Sequence, residues 1–296
     1  MLIKDVCKEC SLTKKAIEYY EKQGLVYPEI GENCYRNYSA NDIAILKEIS
    51  TLRKLGLNIS HIKDILASKN KRVTLSKYKY LMELEMQKSI AQYESLEYLI
   101  NSYDINKGIE YIDSNINDFF TIKEKLVQAF PGTYGMYLSI HFGQFLNEKI
   151  DSENKQLAYS NIVNFLDNID NINMSTELEE YLEDCFVVME KTDMEKMNNT
   201  MINAVDDVED YITSNRGVLE EYIKMRTSDE YKSTLAYKMQ QLLLNFQQSS
   251  GYYDVFIQNL KILSNSYCEY TEKLQQANKV FIEKYPQIAE LYNEIE

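Results

Sequence analysis

The sequence predicts a mainly α-helical protein: a small N-terminal helix-turn-helix unit with a β-hairpin, one long helix, and an all-α C-terminal bundle. Three observations predict it. The 296 residues include only nine Gly and three Pro, about 4% against about 12% in an average soluble protein. Sandwiches, barrels and Rossmann folds need those residues at most turns, so their scarcity favours long helices. Apolar residues also recur at helical spacing along most of the chain. Finally, charge is unevenly divided. Through Tyr80 there are 15 Lys and Arg against 9 Asp and Glu, a balance of +6, whereas the remainder carries 17 against 37, a balance of −20. A basic head on an acidic body directs a polyanionic partner to the head alone, despite the overall charge of −14.

Composition narrows the function classes. A 45% hydrophobic, 26% charged chain is ordinary globular usage and excludes wholesale disorder. No window approaches 18 consecutive apolar residues and the N-terminus has no apolar h-region, so neither a membrane span nor a signal peptide is expected. The five cysteines, Cys7, Cys10, Cys34, Cys185 and Cys268, are odd in number and scattered. They do not form a disulfide framework, and a cytoplasmic protein is expected. With no Trp and two His, residues for metal and acid–base catalysis are thin. No Gly-rich phosphate loop, nucleophile elbow or paired-His motif occurs, so an enzyme is not expected.

In chain order, Ile3–Glu9 reads as a short helix with Ile3, Val6 and Cys7 inward. Ser11 or Thr13 caps a second helix, Lys14–Lys22, which stops at Gly24. Two short helices joined by a tight turn make a helix-turn-helix candidate. Leu25 to Tyr38 contains Pro28, Gly31 and Asn33 between the short β-prone runs Leu25-Val26-Tyr27 and Cys34-Tyr35, the pattern of a small hairpin. Ser39 caps a helix carrying Ile43, Ile45, Leu46, Ile49 and Leu52 and ending at Gly56. A shorter helix, Ser60–Ala67, follows. From about Thr74 one long helix begins, whose a and d positions are Leu75, Lys79, Met82, Met86, Ser89, Tyr93, Leu96, Ile100 and Tyr103. A single apolar stripe on about 45 Å of helix needs a partner, and a second copy is the simplest.

Everything beyond Asp104 also reads as helix: Lys107–Phe130, closed by Pro131-Gly132, then Tyr134–Ile150 and Glu153–Ile169. A capping box from Thr176 to Glu179 opens a helix to about Lys191. Met194–Met225, Ser228–Gln248 and Tyr252–Tyr285 complete the body, with Pro286 starting a last turn. The softest points are Asn168–Ser175 and Ser249-Ser250-Gly251.

The head carries a motif run: Ile3 and Val6, then Ala16-Ile17-Glu18-Tyr19-Tyr20-Glu21, Gly24-Leu25-Val26 and Pro28. It continues through Tyr35-Arg36-Asn37-Tyr38 to Leu52-Arg53-Lys54-Leu55-Gly56-Leu57. In order and spacing it resembles the MerR family of bacterial transcription regulators, including the long helix that follows. The resemblance implies a winged helix-turn-helix over residues 1–72, an antiparallel coiled-coil dimerisation helix over 73–104 and an effector or regulatory domain over 105–296. It also implies a homodimer on double-stranded promoter DNA. Such a dimer acts on RNA polymerase indirectly, by bending and untwisting an over-long promoter spacer.

Carried onto this chain, the resemblance puts Lys14 and Lys15 in the first turn of the recognition helix, with Tyr19 one turn on and able to bond a phosphate. Tyr20 reads as core. Tyr35, Arg36 and Tyr38 fall on the wing, where the family contacts the DNA backbone. Arg53 and Lys54, with Ser60, His61 and Lys63 at a helix N-terminus, form a second, helical wing. Dimerisation falls to Leu75, Met82, Met86, Tyr93, Leu96, Ile100 and Tyr103. Three residues depart from the family pattern: Glu18 stands where Arg is common, Ser11 where glycine is frequent, and Ala16 where threonine is frequent. An acidic residue at 18 repels phosphate and could only accept from a cytosine amino group.

Metal-sensing relatives use cysteines near the dimer helix, but no Cys or His lies between His61 and His141, so neither a metal nor a cofactor is expected. Cys7-x-x-Cys10 lacks a second pair and reads as packing. The large body lacks a strand pattern and reads as a helical ligand domain. Its 25 Tyr and 10 Phe could line a pocket for a cationic planar molecule through stacking and cation–π contacts. Tyr134, Tyr137, His141, Phe142, Phe145 and Tyr181 are the candidates, against the alternative that such residues are helical core. The leading reading is a regulator that senses a small organic molecule. The alternative is a regulator whose acidic body binds a protein partner.

Overall fold

The computed structural model describes residues 1–31, 35–115, 119–130, 132–146, 148, 150–169, 175–187 and 191–288. The chain divides into two units, Met1–Thr74 and Leu75–Glu296, and the described residues are mainly helical.

The first unit contains α1 (Ile3–Glu9), α2 (Lys14–Lys22), strands β1 (Glu29–Ile30) and β2 (Arg36–Asn37), α3 (Ala40–Lys54) and α4 (Ile59–Ala67). Side-chain caps set the helix starts. Thr13 Oγ1 accepts from the Ala16 N–H at 3.2 Å, so Thr13 rather than Ser11 opens α2. Ser11 instead takes φ +53° in the turn between α1 and α2. At α3, Ser39 Oγ accepts from the Asp42 N–H at 3.1 Å while Asp42 Oδ2 accepts from the Ser39 N–H at 2.8 Å, a reciprocal capping box. Asn58 Oδ1 accepts from the His61 N–H at 2.9 Å and opens α4.

The hairpin is antiparallel, with Glu29 opposite Asn37 and Ile30 opposite Arg36. It is shorter than the sequence pattern suggests. Leu25, Val26 and Tyr27 are not strand, because Val26 is drawn into the core. The expected turn residue Asn33, together with Cys34, lies outside the described residues. Val6, Ile17, Leu46, Ile49, Ile62 and Ile65 are fully buried. Each contributes about 1.5–3 kcal/mol from burial, which is how four short helices form a stable unit.

The helix α5 (Lys71–Ser102) runs on from the first unit into the second. The second unit continues with α6 (Ile105–Asn115), α7 (Phe119–Ala129), α8 (Gly132–Gly143), α9 (Glu153–Asn168), α10 (Thr176–Val187) and α11 (Lys191–Asp206). Then come α12 (Val208–Ser214), α13 (Arg216–Arg226), α14 (Asp229–Lys232), α15 (Leu235–Ser249), a π-helical turn (Tyr252–Ile257), α16 (Gln258–Leu263), α17 (Asn265–Lys284) and a 3-10 turn (Pro286–Ile288). Helix α8 is apolar on several faces, as suits a helix enclosed by others, and it packs against α7, α10 and α11. The main core joins Ile122 and Leu126 of α7, Phe142 of α8 and Ile162 of α9 to Phe256, Leu260 and Tyr267.

Several helices expected as single spans are broken, each by a short polar side chain that bonds local backbone. Asp207 Oδ1 accepts from the Asp210 N–H at 3.0 Å and separates α11 from α12. Thr234 accepts from the Tyr237 N–H at 3.3 Å and starts α15. Ser264 accepts from the Tyr267 N–H at 3.2 Å and donates to the Phe145 carbonyl at 2.6 Å, ending α16. The cap of α10 falls one residue before the expected Thr176: Ser175 Oγ accepts from the Leu178 N–H at 3.4 Å. Pro131 and residues 170–174, expected as breaks, lie outside the described residues.

Candidate nucleic-acid interface

Within the first unit, α2 carries Lys14, Lys15 and Tyr19 on its exposed side and Ile17 and Tyr20 on its buried side. This is the 3–4 spacing of an amphipathic helix. Tyr35 and Arg36 are exposed on the hairpin. The Leu2–Asn37 bridge ties the residue before α1 to β2. As a result Lys4, Lys14, Tyr35 and Arg36 border one concavity of about 420 Å³, floored by Leu2, Ile3 and Ile30. Cations and a phenol around a concave surface are the chemistry that receives phosphate groups. Lys4 is absent from the residues expected from sequence. Only the pairing of Leu2 with Asn37, 35 positions away, brings it beside Arg36.

Two acidic residues temper this surface. Glu18 Oε1 lies 3.8 Å from both Lys14 Nζ and Arg36 Nη1. Glu21 Oε2 lies 3.0 Å from Arg36 Nε. A phosphate approaching Lys14 or Arg36 therefore competes with a carboxylate already present.

Tyr38 requires a correction. Expected on the wing, it is only 2% exposed, and its hydroxyl donates to Glu21. Burial, then the Glu21 carboxylate, pushes its phenol well above the usual range. The residue after β2 thus turns inward, and through Glu21 its hydroxyl positions Arg36.

The second basic group lies around the turn from α3 to α4. Arg53 Nη1 donates to the Leu57 carbonyl at 2.7 Å, bracing that turn, and Lys54 is exposed. Ser60 is exposed and His61 half-buried on the first turn of α4. Lys63 Nζ donates to Gln23 Oε1 at 3.2 Å, linking α4 to the end of α2. All these residues belong to the same unit as Lys14 and Arg36.

Along α5, and at Tyr103 just beyond its end, the residues expected to dimerise are all exposed. Leu75, Met82, Met86, Tyr93, Leu96, Ile100 and Tyr103 face outward, with Tyr93 at 69% and Ile100 at 73%, and Ile90 joins them. The opposite side of the helix packs inward through Tyr80 and Leu84 against Val127, Met136 and Met194.

Four of the six aromatic residues expected to form an effector pocket pack in or against the main core. Phe142 and Phe145 are buried in the main core, and Tyr134 and Tyr137 pack against it. The His141 ring lies 4.9 Å from Phe142 and 6.1 Å from Tyr270, and its Nδ1 shares a 2.6 Å hydrogen bond with Asn198 Oδ1. Burial lowers its pKa against the opposing effect of Asn198. Tyr181 sits apart on α10. Phe142 and Phe145 pack edge-to-face against Tyr267, while Tyr137 stacks between Tyr134 and His141. Among the described residues no group of three His, Cys, Asp or Glu could hold a metal ion, and no helix is long and apolar enough to cross a membrane. Cys10 is buried, with its thiol 3.8 Å from the Ile43 carbonyl.

Residues 1–69 match the family of MerR HTH regulatory proteins. The chain is 30% identical over 128 residues to the HTH-type transcriptional regulator YfmP of Bacillus subtilis, covering 43% of this chain and 87% of that protein. It is 37% identical over 67 residues to the HTH-type transcriptional regulator HmrR of Rhizobium leguminosarum bv. viciae, covering 23% and 52%. It is 38% identical over 68 residues to the HTH-type transcriptional regulator CueR of Yersinia pestis, covering 23% and 49%. The chain thus spans most of YfmP but only about half the length of HmrR and CueR. No solved structure matches it. With these likenesses falling on a helix-turn-helix that carries exposed cations and a hairpin, the chain belongs to the MerR family of DNA-binding transcription regulators.

Proposed function

We propose that the protein works as a homodimer joined along α5. In this reading it holds promoter DNA through Lys14, Lys15, Tyr19, Tyr35, Arg36, Arg53, Lys54, Ser60, His61 and Lys63. It switches transcription by distorting that DNA when its helical body receives a small organic molecule. The observation that carries the dimer is the outward stripe of Met82, Met86, Ile90, Tyr93, Leu96 and Ile100, each at least half exposed in the single chain. A contiguous apolar face of that length marks an association surface, and its near-heptad spacing suits a second helix of the same kind.

Supporting the DNA reading are the basic balance of the head and the concavity bounded by Lys4, Lys14, Tyr35 and Arg36. Supporting a small-molecule signal is an open, polar cleft of about 370 Å³ on the second unit, bordered by α5 itself. Light scattering should give twice the 34.8 kDa chain mass. Binding to DNA from the protein's own upstream region should weaken linearly in log[salt], with a slope set by the phosphates contacted. A monomer in solution, or equal affinity for unrelated DNA, would overturn the reading.

A further inference from the structure

The outward stripe of α5 does not stop where that helix ends. Asp104 Oδ1 accepts from the Lys107 N–H at 3.3 Å and opens α6, which folds back along the end of α5. The Tyr98 and Tyr111 rings stack at 4.2 Å and 6°. One turn earlier on α6, Gly108 faces Leu99: a Cβ there would lie 2.4 Å from Leu99 Cδ2, so the missing side chain leaves that leucine its room.

These two contacts orient both helices. On α5, a turn of about 100° per residue puts Leu96 and Ile100 beyond Leu99, on the side away from Tyr98. On α6 the same rotation puts Ile105 and Ile109 beyond Gly108, on the side away from Tyr111. Because Tyr98 meets Tyr111 and Leu99 meets Gly108, both apolar sets open on one side of the helix pair. Leu96, Ile100, Ile105 and Ile109, with Tyr103 in the joint, are each more than half exposed.

Charge is polarised along the same surface. Residues 71–79 carry Lys71, Arg72, Lys77 and Lys79 and no acid, whereas residues 89–102 carry Glu94 and Glu97 and no base. Lys71 already meets Glu48, but among the described residues Lys79, Glu94 and Glu97 form no ion pair. Two parallel copies of α5 would set like charges together at both ends. Antiparallel copies bring the basic start of each beside the acidic end of the other.

We propose that α6 is part of the dimer interface. The end of α5 and α6 of one protomer form a single apolar seat for the first turns of α5 from a second copy. That helix runs antiparallel, with Leu75 and Met82 on the seat and Lys79 toward the partner's Glu97. The inference rests on the reading of α5 as the dimer helix and adds a second element to it. An apolar surface that crosses from one helix to the next, with its charges matched end to end, fits a second copy of this chain. Each body then bears on the other protomer's long helix through α6.

The test is sedimentation equilibrium of the full-length protein, which yields the dimer dissociation constant. Ile105→Ala combined with Ile109→Ala strips apolar surface from α6 but keeps its helix propensity. Counted over both protomers, it should weaken the dimer at least about tenfold. Ile262→Ala, at an exposed position of α16, should leave it unchanged. Lys79→Glu should weaken the dimer a few-fold, and adding Glu97→Lys should restore it, because together they exchange the charges of one antiparallel pair. A double alanine variant that dimerises like wild type overturns the role of α6. Met86→Ala weakening the dimer in that case leaves the α5 reading standing. No effect of Met86→Ala, or a monomeric wild-type chain, overturns that reading too. Failure of Lys79→Glu to weaken the dimer overturns the antiparallel arrangement.

Discussion

Glu18 sits 3.8 Å from the guanidinium of Arg36, bridging the second helix of the head to its hairpin and lying equally close to Lys14. An acidic side chain thus lies between two cations of the surface proposed to meet DNA. In solvent such pairs stabilise the fold little, so the main effect of Glu18 is on the approach of phosphates.

Glu18→Gln should therefore bind promoter DNA about threefold to tenfold more tightly at low salt, with a salt dependence steeper by about one phosphate. Fluorescence anisotropy titrations between 50 and 200 mM KCl, roughly the range over which counterion release is resolved, would measure both. Unchanged or weaker binding would show that Glu18 contacts the DNA itself.

Tyr38→Phe separates positioning from contact. It removes a buried hydroxyl that donates to Glu21, and should cost about 1–3 kcal/mol in urea unfolding of the head. The slope of DNA affinity against salt should not change, since no phosphate contact is lost. A flatter slope at full stability would return Tyr38 to the interface.

The turn residue Ser11, at φ +53°, adopts a left-handed conformation that disfavours any side chain. Ser11→Gly should stabilise the head by about 0.5–1 kcal/mol, seen as a higher urea midpoint at unchanged m-value. A loss of stability would mean that the serine side chain compensates locally.

In the body, a Cβ at Gly135 would fall 2.7 Å from the Leu126 carbonyl oxygen and 2.9 Å from that of Val127. Backbone cannot yield as a side-chain tip can, so Gly135→Ala should destabilise the second unit by about 1–3 kcal/mol. Circular dichroism melts would record it, and wild-type stability would mean that α7 and α8 stand further apart than described.

Alkaline pH should unfold the body. Burial raises the phenol of Tyr134 to about 12, and burial likewise raises Tyr252 and Tyr267 well above the ordinary value near 10. Because the folded state holds these protons more tightly, their contribution is complete below pH 10 and is lost as pH rises above it. Urea midpoints measured from pH 8 to 12 should fall only beyond 10, with tyrosinate absorbance rising alongside unfolding. Tyrosinate forming fully near pH 10 without loss of structure would contradict the burial.

The head was legible because its signals are local. Ser39 and Asp42, Gly24 and Gly56, and the 3–4 spacing of Ile17 and Tyr20 each act within a few residues, so sequence alone marks helix ends and the buried face of α2. The apolar stripe of α5 is equally local, since its period is a property of one helix. Tertiary structure decided what depends on distant partners. It turned Tyr38 inward onto Glu21, filled the core with the aromatic set around Phe142, and brought Lys4 beside Arg36. It also assembled Lys123 and Lys191, 68 positions apart in sequence, at one cleft. Periodicity tells which side of a helix is apolar, but whether an aromatic ring meets another ring or an open space is set by the helices packed against it.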